Sequence, residues 1–181
     1  MNIVQFLLRA DDLGYSEAVN YGIARTVEKG LIGSVGVMPN MPDAQHGLDL
    51  LKGMDVCLGQ HTNICIGRPC ADPSAVRSLL DEDGNLKSSR LYREAWKKGE
   101  CFTVLEEMVL EIEAQYQRFV ELTGREPAYF EGHAVLSRHL IEGLRIVAER
   151  HNLKFNHMFP GDETGDFGGA PVAACEMKSM E

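Results

Sequence analysis

The chain has 181 residues, of which 44% are hydrophobic and 25% are charged. These values exclude a disordered or fibrous protein and predict that residues 1–181 form one globular domain with a sizeable core. A formal net charge of −9 argues against a nucleic-acid partner, because phosphates would be repelled by so acidic a surface. No apolar run is long enough to span a bilayer, and the N-terminal sequence becomes acidic too soon for a signal peptide, so we expect a cytoplasmic protein without a membrane partner.

The cysteines argue against a disulfide framework and against a thiolate zinc site. They are odd in number and lack Cys-x-x-Cys spacing: Cys57, Cys65, Cys70, Cys101 and Cys175. We interpret them as small buried hydrophobes. Because Cys65 and Cys70 follow His61 closely, a nucleophilic cysteine is an alternative.

The first informative stretch is an apolar run at 6–8 that predicts a buried parallel strand. Asp11 and Asp12 follow it, before a polar turn and a helix predicted over 18–29. Ligands and catalytic groups collect at the carboxyl ends of strands in α/β folds, which makes the two acids candidates for chemistry. The alternative is that they only cap the helix, although Ser16 fits the capping position better.

Strands and helices then alternate along the chain. We predict a strand at 32–40, a helix at 41–53 and a strand at 56–66 that ends in a loop at Gly67-Arg68-Pro69. This βαβαβ order indicates a parallel sheet, either open or closed into a barrel.

The segment 70–99 interrupts this alternation, and we interpret it as an elaborated loop with a hairpin-like turn at 81–85. Such a loop either shapes a substrate pocket or only connects the strand before it to the helix after it. A helix is predicted over 103–123, with its acidic side chains in solvent, followed by a strand within 128–136, a helix at 139–152 and a short strand at 153–159. Residues 160–181 are glycine-rich and are predicted to be a loop or tail. About five strands are too few for a closed eight-stranded barrel.

Three positions carry metal-binding chemistry at strand ends: Asp11-Asp12, His61 and His133. A parallel sheet would bring all three to one edge. Two imidazoles and a carboxylate are a common ligand set for a divalent ion, and a spare aspartate could accept a proton from water. The alternative is that the histidines are ordinary hydrogen-bonded core residues.

The motifs around these residues resemble a known family. RADDLGYSEAVNYGI, residues 9–23, resembles the NADDFGLS…N.GI signature that opens the YdjC-like carbohydrate deacetylases. LGQHTNICIGRP, residues 58–69, resembles that family's G-x-H-x-N-x-x-x-G-x-P segment, and FEGH, residues 130–133, resembles its D-S-H segment. ELTGREP, residues 121–127, also resembles the stretch before the last motif, so the similarity runs from about 3 to 151.

The resemblance implies an α/β fold of the (β/α)-barrel type, here irregular or incomplete. It also implies an enzyme that uses one divalent metal ion to remove N-acetyl groups from small amino sugars. By position it implies metal ligands Asp12, His61 and His133 and a catalytic base at Asp11. It also places Asn63, Arg68 and Pro69 beside the sugar. The ligand set suits Zn²⁺, Co²⁺ or Ni²⁺, and the family resemblance adds Mg²⁺.

The sequence departs from the family pattern at several positions. Val135 and Ser137 stand where the family usually has further histidines, and Glu131 replaces an aspartate. No histidine-proline-glycine motif follows, so the sequence does not identify the general acid. In spite of these departures, the resemblance predicts a deacetylase that acts on an acetylated sugar or short chitooligosaccharide, with or without a phosphate.

Two other functions stay open from the sequence. The first is a metal-dependent amidohydrolase acting on a non-carbohydrate amide, and the second is a non-catalytic sugar-binding module.

An incomplete barrel would expose apolar strand edges, which favours a homodimer.

Overall fold

The structure is a computed structural model that describes residues 8–155, 164–167 and 170–173. Its helices and strands follow one another in this order: β1 (Arg9–Leu13), α1 (Glu17–Glu28), β2 (Ser34–Val37), α2 (Ala44–Leu50), β3 (Cys57–Thr62), α3 (Ser89–Lys98), α4 (Leu105–Thr123), β4 (Tyr129–Gly132), α5 (Arg138–Arg150), β5 (Lys154–Phe155), β6 (Thr164–Phe167) and β7 (Ala170–Ala173).

Five of the described strands form one parallel sheet whose spatial order, β1-β2-β3-β4-β5, is their order in the chain. Consecutive parallel strands joined by helices are the repeating unit of a (β/α) barrel. In the part of the chain that the structure describes, this sheet is open. The predicted α/β fold with a parallel sheet is confirmed.

The start of α1 and the end of α4 lie close to where the sequence predicts them. Ser16 caps α1, and its hydroxyl accepts a hydrogen bond from the Val19 N–H at 3.3 Å. Gly124 ends α4 in the left-handed conformation, with φ of 69°, which glycine adopts without a steric penalty.

The two faces of the sheet differ in chemistry. On one face, Val35, Val37 and Leu58 pack against α1 and against Phe119 of α4, while Phe130 packs against α5. The opposite face, which we call the inner face, carries polar side chains and glycines: Arg9, Asp11, Ser34, Gly36, Gly59, His61, Tyr129 and Glu131. This alternation follows from the period of two along a strand and from the register of the ladder.

Glycines make room on the inner face for large polar side chains. A Cβ at Gly59 would lie 2.2 Å from the ring of Tyr129, and a Cβ at Gly36 would lie 2.9 Å from oxygens of both Asp11 and Glu131. The Tyr129 hydroxyl in turn hydrogen-bonds Ser34 at 2.8 Å. The inner face is therefore shaped around polar groups rather than filled by branched apolar residues.

The segment 70–99 is more regular than the sequence predicts. It contains two 3₁₀ turns, Pro73–Ala75 and Arg77–Leu79, and the ten-residue helix α3. The interpretation as an elaborated loop was therefore wrong for 89–98, because α3 buries Tyr92 and Ala95 while its basic residues stay exposed. The predicted hairpin-like turn is confirmed by an antiparallel bridge between Leu80 and Leu86.

Strands β6 and β7 pair antiparallel within the glycine-rich segment that we predicted to be a loop or tail. The remaining residues of that segment lie outside the described ranges, as do Phe6, Leu7 and the last part of the predicted strand 153–159. No helix among the described residues is long and apolar enough to cross a membrane.

Candidate metal centre

A bulge in β1 positions the two adjacent acids. Ala10 pairs with Val35 and Leu13 with Val37, so β1 has one residue more than β2 between these pairs. Asp12 lies in this bulge with φ of 70°, in the left-handed region that few non-glycine residues adopt. The two acids therefore lie within the strand, not after it as the apolar run at 6–8 predicted.

The bulge brings Asp12 to two histidines from other strands. Its Oδ1 lies 2.8 Å from Nδ1 of His133 and 3.1 Å from Nε2 of His61. The two imidazole nitrogens are themselves 3.0 Å apart. His61 lies in β3, and His133 directly follows β4, where its backbone N–H continues the ladder by donating to the Thr62 carbonyl at 2.8 Å.

These three donor atoms fit a metal ion. Asp12 Oδ1 is shielded from solvent, and none of the described residues offers it a hydrogen bond of acceptable geometry. Donor atoms bound to one ion at about 2.0–2.2 Å lie roughly 3 Å from each other, which matches the separations here. The predicted convergence of Asp12, His61 and His133 is therefore present in the structure.

The charges of the cluster are strongly coupled. The adjacent imidazoles of His133 and His61 hold the pKa of Asp12 well below its ordinary range. Burial lowers the pKa of His61, but the carboxylates of Asp12 and Glu131 outweigh burial and raise this pKa to about 9. Burial lowers the pKa of His133 as well, but the contacts with Asp12 and Cys65 together outweigh burial and raise this pKa to about 9. In the metal-free protein the imidazoles therefore hold protons that compete with a metal ion.

A second carboxylate orients His61. Glu131 is 3% exposed, and its Oε1 lies 3.1 Å from Nδ1 of His61. A carboxylate on the outer nitrogen of a metal-binding histidine fixes the ring and its tautomer. In the sequence Glu131 was visible only as a departure from a motif, and its contact with His61 joins residues 70 positions apart.

Asp11 lies beside this cluster on the inner face. A carboxylate oxygen of Asp11, a ring nitrogen of His61 and a carboxylate oxygen of Glu131 lie within 4.8 Å of one another. Asp11 is partly exposed, with 35% of its side-chain surface accessible. It is therefore close to His61 without belonging to the set of three donor residues.

Comparison with known proteins identifies the family. A family model described as YdjC-like protein matches residues 5–176. The chain belongs to the YdjC-like family. It is 28% identical over 167 residues to carbohydrate deacetylase 2 of Listeria innocua, covering 86% of this chain and 64% of that protein.

Two further relatives are similar to this YdjC-like chain. A carbohydrate deacetylase of Danio rerio is 32% identical and covers 80% of this chain, and a chitooligosaccharide deacetylase of Escherichia fergusonii is 31% identical and covers 70%. The chain spans 45% and 48% of the lengths of these two relatives.

A solved structure shares the fold. It is an Enterococcus faecalis protein named for cellobiose-phosphate cleavage, with a TM-score of 0.73 and 24% identity. The match covers 82% of this chain and 57% of that protein.

The residues predicted to lie beside the sugar occupy different environments. Asn63 is fully buried, and its amide donates to the Ile66 carbonyl at 2.7 Å and to Asn40 Oδ1 at 3.0 Å. Arg68 is exposed and Pro69 is half-buried in the same loop. Asn63 thus holds the loop after β3 in place, and sugar contacts of all three residues stay a prediction.

Helix α4 supports this loop in a way that sequence reasoning missed. Glu111 is fully buried, and its carboxylate accepts hydrogen bonds from the backbone N–H groups of Cys70 at 3.0 Å and Ala71 at 2.9 Å. Gln115 accepts from the Asn63 N–H at 3.0 Å and donates to the Asn63 carbonyl at 2.6 Å. The interpretation of the acidic face of α4 as merely solvated was therefore wrong for Glu111.

One cavity among the described residues lies apart from the candidate metal centre. It has a volume of about 440 Å³ and is lined by Asn40, Pro69 and Cys70 on one side and by Gln117 and Arg118 of α4 on the other. None of the three donor residues lines it.

The thiol of Cys70, one of the two cysteines that follow His61, is not activated. Burial and the nearby Glu111 raise the pKa of Cys70 to about 12, which disfavours the thiolate. Cys65 is buried, in agreement with the interpretation as a small hydrophobe. That interpretation was wrong for Cys57, which is exposed, while Cys70 and Cys101 are half-buried.

Proposed function

We propose that this chain carries the metal site of a carbohydrate deacetylase that removes N-acetyl groups from an amino sugar or a short chitooligosaccharide. The observation that carries the proposal is the convergence of Asp12, His61 and His133, whose donor atoms lie 2.8 to 3.1 Å apart. Membership of the YdjC-like family and the names of the relatives support the substrate class.

The residues divide into two roles in this proposal. Asp12, His61 and His133 hold one divalent ion, which supplies Lewis acidity that polarises the acetamide carbonyl and acidifies water. Asp11 accepts the proton of the attacking water, since its carboxylate lies beside the cluster and is partly exposed. Zn²⁺ suits the two imidazoles, while Mg²⁺ would require more oxygen ligands from water.

Acetate release tests the proposal directly. Purified protein loaded with Zn²⁺ or Mg²⁺ would be incubated with N-acetylglucosamine, diacetylchitobiose and their phosphorylated forms, while metal content is measured by mass spectrometry. We expect one equivalent of metal and acetate release from at least one of these sugars. Metal binding without acetate release would favour the sugar-binding module, or an amidohydrolase if a non-sugar amide is cleaved.

The variant His61→Ala tests the metal site separately. It should lose the metal and at least about 100-fold of the activity, because both effects follow from one missing ligand. His139→Ala is the matched control, since His139 lies on α5 and its Nδ1 contacts Thr103 instead of the cluster. Full metal content in His61→Ala would show that the ligand assignment is wrong.

A further inference from the structure

Arg9 lies on the inner face next to the metal centre and contacts two of its carboxylates. Its Nε lies 2.7 Å from Asp11 Oδ1, and its Nη2 lies 3.0 Å from Asp11 Oδ2 and also contacts Glu131 Oε2. The guanidinium is 5.7 Å from the centre of the Tyr129 ring. One side chain therefore spans the proposed base and the carboxylate that orients His61.

The contacts form a continuous path to the metal centre. Glu131 uses Oε2 for Arg9 and Oε1 for Nδ1 of His61, at 3.1 Å. The opposite nitrogen of His61, Nε2, lies 3.1 Å from Asp12 Oδ1. Moving Arg9 would therefore release Glu131, and a released Glu131 would no longer fix the ring of His61.

Arg9 also explains why a second group of possible ligands need not hold a second ion. Asp11, His61 and Glu131 offer donor atoms within 4.8 Å of one another. The Arg9 guanidinium already supplies a positive charge to both carboxylates of this group. A second cation bound to these residues would have to displace the Arg9 guanidinium and break its ion pair with Glu131, whose side chain is only 5% exposed.

We propose that Arg9 is a positioning residue, which orients His61 through Glu131 and orients Asp11 directly. The proposal rests on the proposed function for the role of Asp11, whereas the effect on His61 concerns metal binding alone. Arginine suits this position because its planar fork donates to two carboxylates at fixed angles. Lysine could keep the charge but would hold only part of this geometry.

Metal affinity of Arg9→Gln is the first test. Zn²⁺ titrations followed by calorimetry should show about tenfold weaker binding than wild type. This is the lower end of the loss in metal affinity that follows when a group that orients a metal ligand is removed. Arg9→Lys should recover part of this loss. Arg145→Gln is the matched control, because Arg145 also pairs with two carboxylates, Glu142 and Glu149, but on the surface of α5.

A double-mutant cycle separates positioning from packing. If Arg9 acts through Glu131, the losses in Zn²⁺ affinity of Arg9→Gln and Glu131→Gln will be far from additive in the double variant. Additive losses would overturn the proposal, as would wild-type Zn²⁺ affinity in an Arg9→Gln protein whose circular dichroism is unchanged.

Turnover provides an independent readout. For the substrate that wild type deacetylates, metal-saturated Arg9→Gln should lower kcat about tenfold or more with little change in KM, because the sugar is bound but Asp11 is misoriented. An unchanged kcat overturns the effect on Asp11. If wild type releases no acetate at all, the proposed function fails, while the Zn²⁺ titrations still decide whether Arg9 positions His61.

Discussion

At the scale of single residues, the metal centre depends on an unusual backbone at Asp12. A non-glycine residue in the left-handed region costs on the order of 1–3 kcal/mol, and such residues concentrate at functional sites. Ala134, directly after His133, has φ of 56°, so two of the three candidate ligands lie at or beside a strained residue. In a regular strand, Asp11 and Asp12 would point to opposite faces, whereas the bulge lets both acids serve one site.

The division of roles between the two acids gives a test. Asp11→Asn should keep the bound metal and lower kcat by about 10² to 10⁴, because an amide cannot accept the proton of water. Metal analysis and acetate release on the same sample would check both parts. Asp49→Asn is a suitable control, since Asp49 also pairs with a basic side chain, Lys52, but on exposed α2. Unchanged turnover in Asp11→Asn would remove Asp11 from the role of base.

The raised pKa values of His61 and His133 predict how pH acts. In the metal-free protein both pKa values are about 9, whereas the ordinary value for histidine is 6.5. Between pH 6.5 and pH 9 the folded state therefore binds more protons than the unfolded state. The contribution of the two histidines to the unfolding free energy of the metal-free protein should be fully present below pH 6.5 and should be lost as the pH rises through 9.

Metal binding should change in the opposite direction over the same range, because Zn²⁺ must displace these protons. Urea unfolding of metal-free protein and Zn²⁺ calorimetry, both as functions of pH, would measure the two effects. Zn²⁺ affinity that does not vary with pH would contradict the assignment of the histidines as ligands.

At the scale of elements, α4 links the helix layer to the site. Glu111 and Gln115 bind the backbone of the loop after β3, so the position of Asn63 and the chain that follows it depends on a helix about 50 residues later. Burial raises the pKa of Glu111, although the N–H groups of Ala71 and Cys70 act against it. The helix is thus a structural support for the rim of the site as well as a wall of the core.

Glu111→Gln tests this support. The new amide N–H₂ would face backbone N–H donors, and a buried donor left unsatisfied costs about 1–3 kcal/mol of unfolding free energy. Urea unfolding should detect this loss, while Glu106→Gln on the exposed side of α4 should leave the unfolding free energy unchanged. Equal stability of the two variants would mean that the loop does not depend on Glu111.

At the scale of the whole molecule, the site joins three strands of one sheet. Asp12 lies in β1, His61 lies in β3 and His133 directly follows β4, so an ion bound to them would tie together parts of the chain that are far apart in sequence. The polar inner face, opened by Gly36 and Gly59, is the setting for this site. The sheet therefore has apolar packing on the helix face and the polar side chains of the candidate site on the inner face.

Metal binding should accordingly stabilise the entire fold. A ligand at 100 times its Kd adds about 2.7 kcal/mol to the unfolding free energy, which corresponds to roughly 5–10 °C in Tm for a domain of this size. Thermal unfolding with and without Zn²⁺ would measure the shift, and His61→Ala should abolish it. The same shift in His61→Ala would show that Zn²⁺ binds elsewhere.

Local patterns in the sequence predicted the alternating strands and helices of the parallel sheet and the three candidate ligands, but not α3, because hydrophobic periodicity, capping residues and short motifs involve neighbouring residues. Four features became visible only in the folded chain: the bulge at Asp12, the contact of Glu131 with His61, the contacts of Arg9 with Glu131 and Asp11, and the burial of Glu111. Apart from the contact between Arg9 and Asp11, these contacts join residues far apart in the chain, and those on the sheet depend on strand register. A shift of one residue in register moves a side chain to the opposite face, and no local pattern records that shift.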